Sequence, residues 1–132
     1  MGMMRVLLVD DSLIDHMAVL RGFSRAGLDA EIQIVSDGVE ALKALRNVDK
    51  VTRLENPFLL LLDLSMPQMG GISLLEELRK DRSLRRTVVF ALTASDSDED
   101  RLAAYDHFIA GCIPKAQAGP NLEELLKLLK AY

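Results

Sequence analysis

Apolar residues recur along the chain in two different periods, and the alternation between those periods defines the elements. Phe58 to Leu62 is a short unbroken apolar run of the kind that forms a strand buried on both faces, and Met4 to Val9 and Thr87 to Leu92 are two further strand candidates. Ile32, Ile34 and Val35 supply a second strand in chain order, and Gly111, Cys112 and Ile113 a short fifth one. Between the runs the spacing becomes helical. Leu13, Met17 and Leu20, with Ile14 and Ala18 beside them, continue to a stop at Gly27. Val39, Leu42 and Leu45 mark one face of a second helix, and Ile72, Leu75 and Leu78 mark a third. Leu102, Tyr105 and Ile109 give a fourth, and Leu122, Leu125, Leu126 and Leu129 a fifth. Ser12 with Asp15, Asp37 with Glu40, Ser97 with Asp100 and Asn121 with Glu124 have the spacing that caps helix starts.

Five strands alternating with five helices imply right-handed crossovers and an α/β fold. The expected form is a flavodoxin-like, doubly wound parallel sheet of order 2-1-3-4-5 with helices on both faces. Two connections depart from the short norm. Asn47 to Pro57 is a long charged loop, read as an exposed insertion with a mobile tip. After Phe58 to Leu62 and Asp63, Met66-Pro67 prevents an immediate helix and holds the turn open, and Gly70-Gly71 then lets the backbone enter helix three.

Four strand ends carry polar groups: Asp10 and Asp11 after strand one, Asp63 after strand three, Thr93 after strand four and Lys115 after strand five. In a sheet of this order those ends meet at the switch point, where open α/β sheets place their chemistry. Three converging carboxylates repel one another unless a cation neutralises them, and a hard divalent ion with oxygen ligands answers that need. Mg²⁺, which uses few carboxylates and keeps open positions for phosphate, fits best. Lys115 adds a mobile positive charge suited to a phosphoryl oxygen, and Thr93 adds a hydroxyl donor. Taken singly, each residue is an ordinary turn, cap or surface residue; four ends carrying the right type in the right order point to a site that accepts a phosphoryl group.

Composition narrows the classes. With 132 residues, 49% of them apolar, the chain has length for one full core, residues 1–132, and no room for a second output domain. A net charge of -4, with basic residues scattered and not gathered into a run, argues against nucleic acid as a partner. No apolar run approaches a membrane span, the N-terminal run ends too soon at Asp10 for a signal peptide, and the single Cys112 makes no internal disulfide. The expectation is a soluble protein of the cytoplasm.

The segments VLLVDDS, LLLLDLSMPQMGG, ALTA and IPK, in that order, closely resemble the motifs of response-regulator receiver domains, and the resemblance spans essentially the whole chain. It implies a phosphoacceptor that assists its own phosphorylation and dephosphorylation and is not otherwise an enzyme. Asp63 would be the phosphoacceptor, Asp10 and Asp11 the acidic pair, Thr93 the switch hydroxyl and Lys115 the phosphate-contacting lysine. It further implies Mg²⁺ held by Asp11 and Asp63 directly, by Asp10 through water and by the Ser65 backbone carbonyl. The implied partner is a sensor histidine kinase. The long loop before strand three and the acidic start of helix four are similar to single-domain regulators that serve phytochrome-type kinases. Output would be a changed protein surface, through a partner, a homodimer over strand five and helix five, or return of phosphate to the kinase.

Two positions depart from the family pattern. Cys112 stands where an aromatic residue usually reports phosphorylation, and it reads as a small buried core residue more than as a reactive thiol. Pro114 precedes Lys115, where the family tends to place proline after the lysine; a cis bond at Lys115-Ala116 would be a costly non-proline case. Two other readings compete. A phosphatase of the haloacid-dehalogenase type also has an apolar strand ending in a nucleophilic Asp, but it needs a second Asp two residues later, where this chain has Ser65, and its motifs run in another order. A receiver-like adaptor that is never phosphorylated would not need the full set of Asp10, Asp11, Asp63, Thr93 and Lys115. No GxGxxG or P-loop pattern follows any strand, so a nucleotide-binding role has least support.

Overall fold

In the computed structural model, residues 4–25, 27, 30–47, 58–64, 70–93 and 98–114 are described. They form β1 (Met4–Val9), α1 (Leu13–Arg25), β2 (Ala30–Val35), α2 (Gly38–Arg46), β3 (Phe58–Asp63), α3 (Gly71–Lys80), β4 (Val88–Thr93), α4 (Asp98–Asp106) and β5 (Gly111–Pro114). All strand pairs are parallel, in the order β2-β1-β3-β4-β5, which is the order expected of a flavodoxin-like sheet. Four helices are described; the expected fifth, with Leu122 to Leu129, the loop from Val48 to Pro57 and the Lys115-Ala116 bond lie outside the described residues.

The apolar runs are continuous because both faces of the sheet are covered. Leu7, Val9, Leu60, Leu62, Val89 and Ala91 pack with Leu42, Leu45, Leu74, Leu75 and Leu78 of α2 and α3 on one face. The alternate residues Val6, Leu8, Leu59, Leu61 and Leu92 pack with Val19 and Phe23 of α1 on the other. All six residues of β3 are buried, as the central strand of such a sheet must be. The cap signals act as expected where they are described. Asp37 accepts from the Glu40 amide at 2.9 Å, and the Glu40 carboxylate in turn accepts from the Ser36 amide at 2.9 Å.

Four expectations change. The stripe Leu13, Met17 and Leu20 on α1 faces solvent, with Leu13 71% and Ile14 77% exposed, whereas Val19, Gly22 and Phe23 form the buried face. On α4, Leu102 and Tyr105 are exposed and Ile109 lies past the helix end, so Ala104 carries the buried contact of the helix instead. Val39 is likewise on the outer side of α2, where Ala41 takes its place in the core. The basic residues are not evenly scattered: Arg79, Lys80, Arg82, Arg85 and Arg86 crowd the end of α3 and its connection to β4.

Candidate functional site

The register brings the acidic strand ends together. Val9 of β1 pairs with Leu62 of β3, so Asp10 and Asp63 follow side by side at the same edge, and Asp63 pairs with Leu92 of β4. Each continues the alternation that sends Leu8 and Leu61 toward α1, which places both carboxylates on that side of the sheet. Asp10 is wholly buried and Asp63 is 2% exposed, while Asp11, two residues past the strand, is open to solvent.

Local hydrogen bonds fix the edge. The Asp10 amide donates to the Val35 carbonyl at 3.1 Å, which ties the end of β1 to β2. Its Oδ1 accepts from the Ser12 amide at 2.8 Å, so this carboxylate closes the turn into α1. His16 Nε2 donates to the Asp10 carbonyl at 2.5 Å, which assigns the ring proton to that nitrogen. On the other side of Asp63, the Leu64 amide donates to the Leu92 carbonyl at 3.0 Å and carries the pairing with β4 one residue beyond the strand.

Gly71 serves this edge by its size. A Cβ there would lie 2.6 Å from Leu64 Cα and 2.9 Å from the Asp63 carbonyl oxygen, so α3 can start against the end of β3 only without a side chain. The sequence suggested backbone freedom at Gly70-Gly71, yet Gly70 has an ordinary φ of -67°; the need at Gly71 is room. His16 also belongs to this edge, although nothing in its spacing from Asp10 signals the contact.

One carboxylate oxygen from each of Asp10, Asp11 and Asp63 lies within 4.8 Å of the others. Oxygens that share one hard divalent ion are at most about 4–5 Å apart, twice the metal–oxygen distance, so the three acids fit such an ion as they stand. Two are buried and one is exposed, which leaves a side open for water or a ligand oxygen. Thr93 ends β4 opposite Pro114 of β5, and its backbone therefore reaches the same edge. Ser65 and Lys115 lie outside the described residues. Cys112 is half-buried against the core, and burial pushes its thiol pKa up, the environment of an inert cysteine.

These features coincide with what comparison finds. The model of the response regulator receiver domain matches residues 6–127, and the chain belongs to that family of signalling domains. The response regulator Rcp1 of Synechocystis sp. is 30% identical over 125 residues, covering 95% of this chain and 83% of Rcp1. The Mn²⁺-bound crystal structure of Rcp1 superposes with a TM-score of 0.77 at 27% identity, covering 98% of this chain and 93% of that one. The phosphorylated cyanobacterial phytochrome response regulator RcpA gives 0.79 at 27% identity, with 98% and 92% covered. A receiver domain from Rhodospirillum rubrum gives 0.85 at 27% identity, with 97% and 94% covered. The chain is thus homologous to phytochrome-associated response regulators, and its three acids form a cluster of the kind that holds a divalent cation. No described helix is long and apolar enough to cross a membrane.

Proposed function

We propose that Asp63 accepts a phosphoryl group from the phosphohistidine of a sensor kinase of the phytochrome-associated kind, in the cytoplasm, and that the chain signals by the change of surface that follows. The observation that carries this reading is a buried carboxylate at a strand end within 4.8 Å of an oxygen of each of two further acids. An Asp63 oxygen attacks the phosphorus in line, a P–O bond forms, and the P–N bond to the donor imidazole breaks with its electron pair left on nitrogen. Asp10, Asp11 and Asp63, with the Ser65 carbonyl, would hold Mg²⁺, which supplies charge neutralisation for the phosphoryl oxygens. Lys115 pairs with one such oxygen, and Thr93 donates to another and draws the loop after β4 inward. Because the step consumes its own carboxylate, the protein is a phosphoacceptor and not a turnover enzyme for an external substrate.

The exposed stripe of α1 supports a docking surface for the donor. Leu13, Ile14, Met17 and Leu20 are exposed on the helix that starts two residues after Asp11, where a helical phosphodonor could lay its apolar face. A homodimer through β5 and the last helix remains part of the proposal as one route of output, read by mass in solution with and without phosphorylation. Incubation with acetyl phosphate and Mg²⁺ tests the chemistry: the wild type gains one phosphoryl group and Asp63→Asn gains none. Equal labelling of the two would sink the assignment.

A further inference from the structure

The opposite edge of the sheet carries a second constellation that phosphoryl chemistry does not use. Between the α3–β4 connection and the α4–β5 connection lies a cavity of about 190 Å³, lined by Arg79, Arg85, Arg86, Thr87, Val88 and Phe108, among others. It opens where β4 begins, whereas the acids stand where β4 ends, about 17 Å away along a strand of this length.

Arg79 builds the cavity. Its Nε donates to the His107 carbonyl at 2.7 Å, one terminal nitrogen donates to the Arg85 and Thr87 carbonyls at 2.8 and 2.9 Å, and the other donates to the Phe108 carbonyl at 3.0 Å. One guanidinium therefore fixes both connections, and its charge is engaged by carbonyl oxygens. Arg85 and Arg86 differ: both are exposed, and neither side chain has a hydrogen-bond or ion-pair partner among the described residues. Phe108 is held in the left-handed region, at φ 62°, with 80% of its surface exposed. That backbone conformation is unfavourable for a bulky residue, and an exposed ring gains nothing from folding. Both are understandable if the ring has an occupant to meet.

We propose that this cavity is a binding site for an acidic segment of a partner protein, with carboxylates on Arg85 and Arg86 and an apolar side chain against Phe108 and Val88. Guanidinium groups recognise carboxylates in a fixed fork, and arginine beside an exposed aromatic ring is the usual composition of an interface anchor. Charge complementarity selects the occupant: the chain carries a net -4, with the Asp10, Asp11 and Asp63 cluster at the far edge, so an acidic segment is drawn to this edge and repelled from the other.

The test is a titration of the ¹⁵N-labelled full chain with a short peptide of glutamates around one central phenylalanine. Amide shifts are expected at Arg85, Arg86 and Phe108, with an affinity that falls as salt is raised. The double variant Arg85→Glu/Arg86→Glu should lose about tenfold or more in affinity while its labelling by acetyl phosphate is unchanged. Phe108→Gly should lose affinity and yet melt no lower than the wild type, because glycine relieves the left-handed conformation. Absence of these shifts, equal affinity in the charge-reversed variant, or equal binding of a peptide with lysine in place of glutamate would overturn the proposal. Tighter binding of a single-stranded oligonucleotide or of phosphatidylglycerol vesicles through the same residues would overturn the assignment to a protein partner.

Discussion

Replacing Asp63 by Asn removes one of two buried charges from a cluster in which carboxylate oxygens lie within 4.8 Å of one another. Two unit charges at that separation repel by about 3.5 kcal/mol in an effective dielectric of about 20. The hydrogen bonds that the acids accept and the solvent around Asp11 offset part of this, which leaves a net gain of about 1–2 kcal/mol for the amide in the metal-free protein. For a chain of this size that corresponds to a rise of about 3–8 °C in melting temperature. If the cluster holds Mg²⁺, the added ion should raise the melting temperature of the wild type, because binding to the folded state alone stabilises it, and should act far less on Asp63→Asn, which lacks one of the three carboxylates. Thermal unfolding in EDTA and in Mg²⁺, followed by circular dichroism, reads both effects. A variant that melts lower than the wild type in EDTA, or that responds to Mg²⁺ equally, would refute the view that the acids repel one another and share a cation.

Gly71→Ala should lose about 1–2 kcal/mol, because overpacking against the β3 backbone outweighs the better helix propensity of alanine, and its labelling by acetyl phosphate should slow, since the atoms that must move include the Asp63 carbonyl oxygen. Normal stability and normal labelling would show that the α3 start relaxes freely. Leu13→Asp with Ile14→Asp should reduce transfer from a cognate kinase at least about tenfold and leave labelling by acetyl phosphate intact; equal loss in both assays would place the defect in the site and not in docking. The hydroxyl and then the amide of Ser83, with a smaller share from Arg46, hold the Asp81 carboxyl below the ordinary carboxylate range. A depressed folded pKa contributes stability above the unfolded value and loses it as pH falls through the folded one, so Asp81→Ala should be less stable than the wild type at neutral pH and converge with it in acid. A stability gap that persists below the carboxylate range would point to packing instead.

Much of the sheet was legible because burial on both faces leaves an unmistakable trace. Phe58 to Leu62 has no polar member, and its full burial explains why. Alternation implies a parallel sheet with right-handed crossovers, and once its order is 2-1-3-4-5 the ends that carry Asp10, Asp11 and Asp63 must meet. Helix faces were less legible. Leu13, Met17 and Leu20 share a side of α1, but periodicity states only that residues lie together, not which side meets the sheet, and here Val19 and Phe23 do. Contacts between distant segments left no trace at all. The need for Gly71 comes from Leu64, the hydrogen bond of His16 reaches the Asp10 carbonyl, and Arg79 gathers carbonyls from two connections. The arginines of the α3–β4 connection become a pocket only when Phe108 is brought beside them.

If Asp63 is the phosphoacceptor, borohydride reduction after acetyl phosphate treatment will locate the phosphoryl group there. Hydride converts an acyl phosphate to an alcohol and leaves free carboxylates unchanged, so peptide mass mapping should find homoserine at position 63 and nowhere else. Homoserine at position 10 or 11, or none after full labelling, would contradict the account.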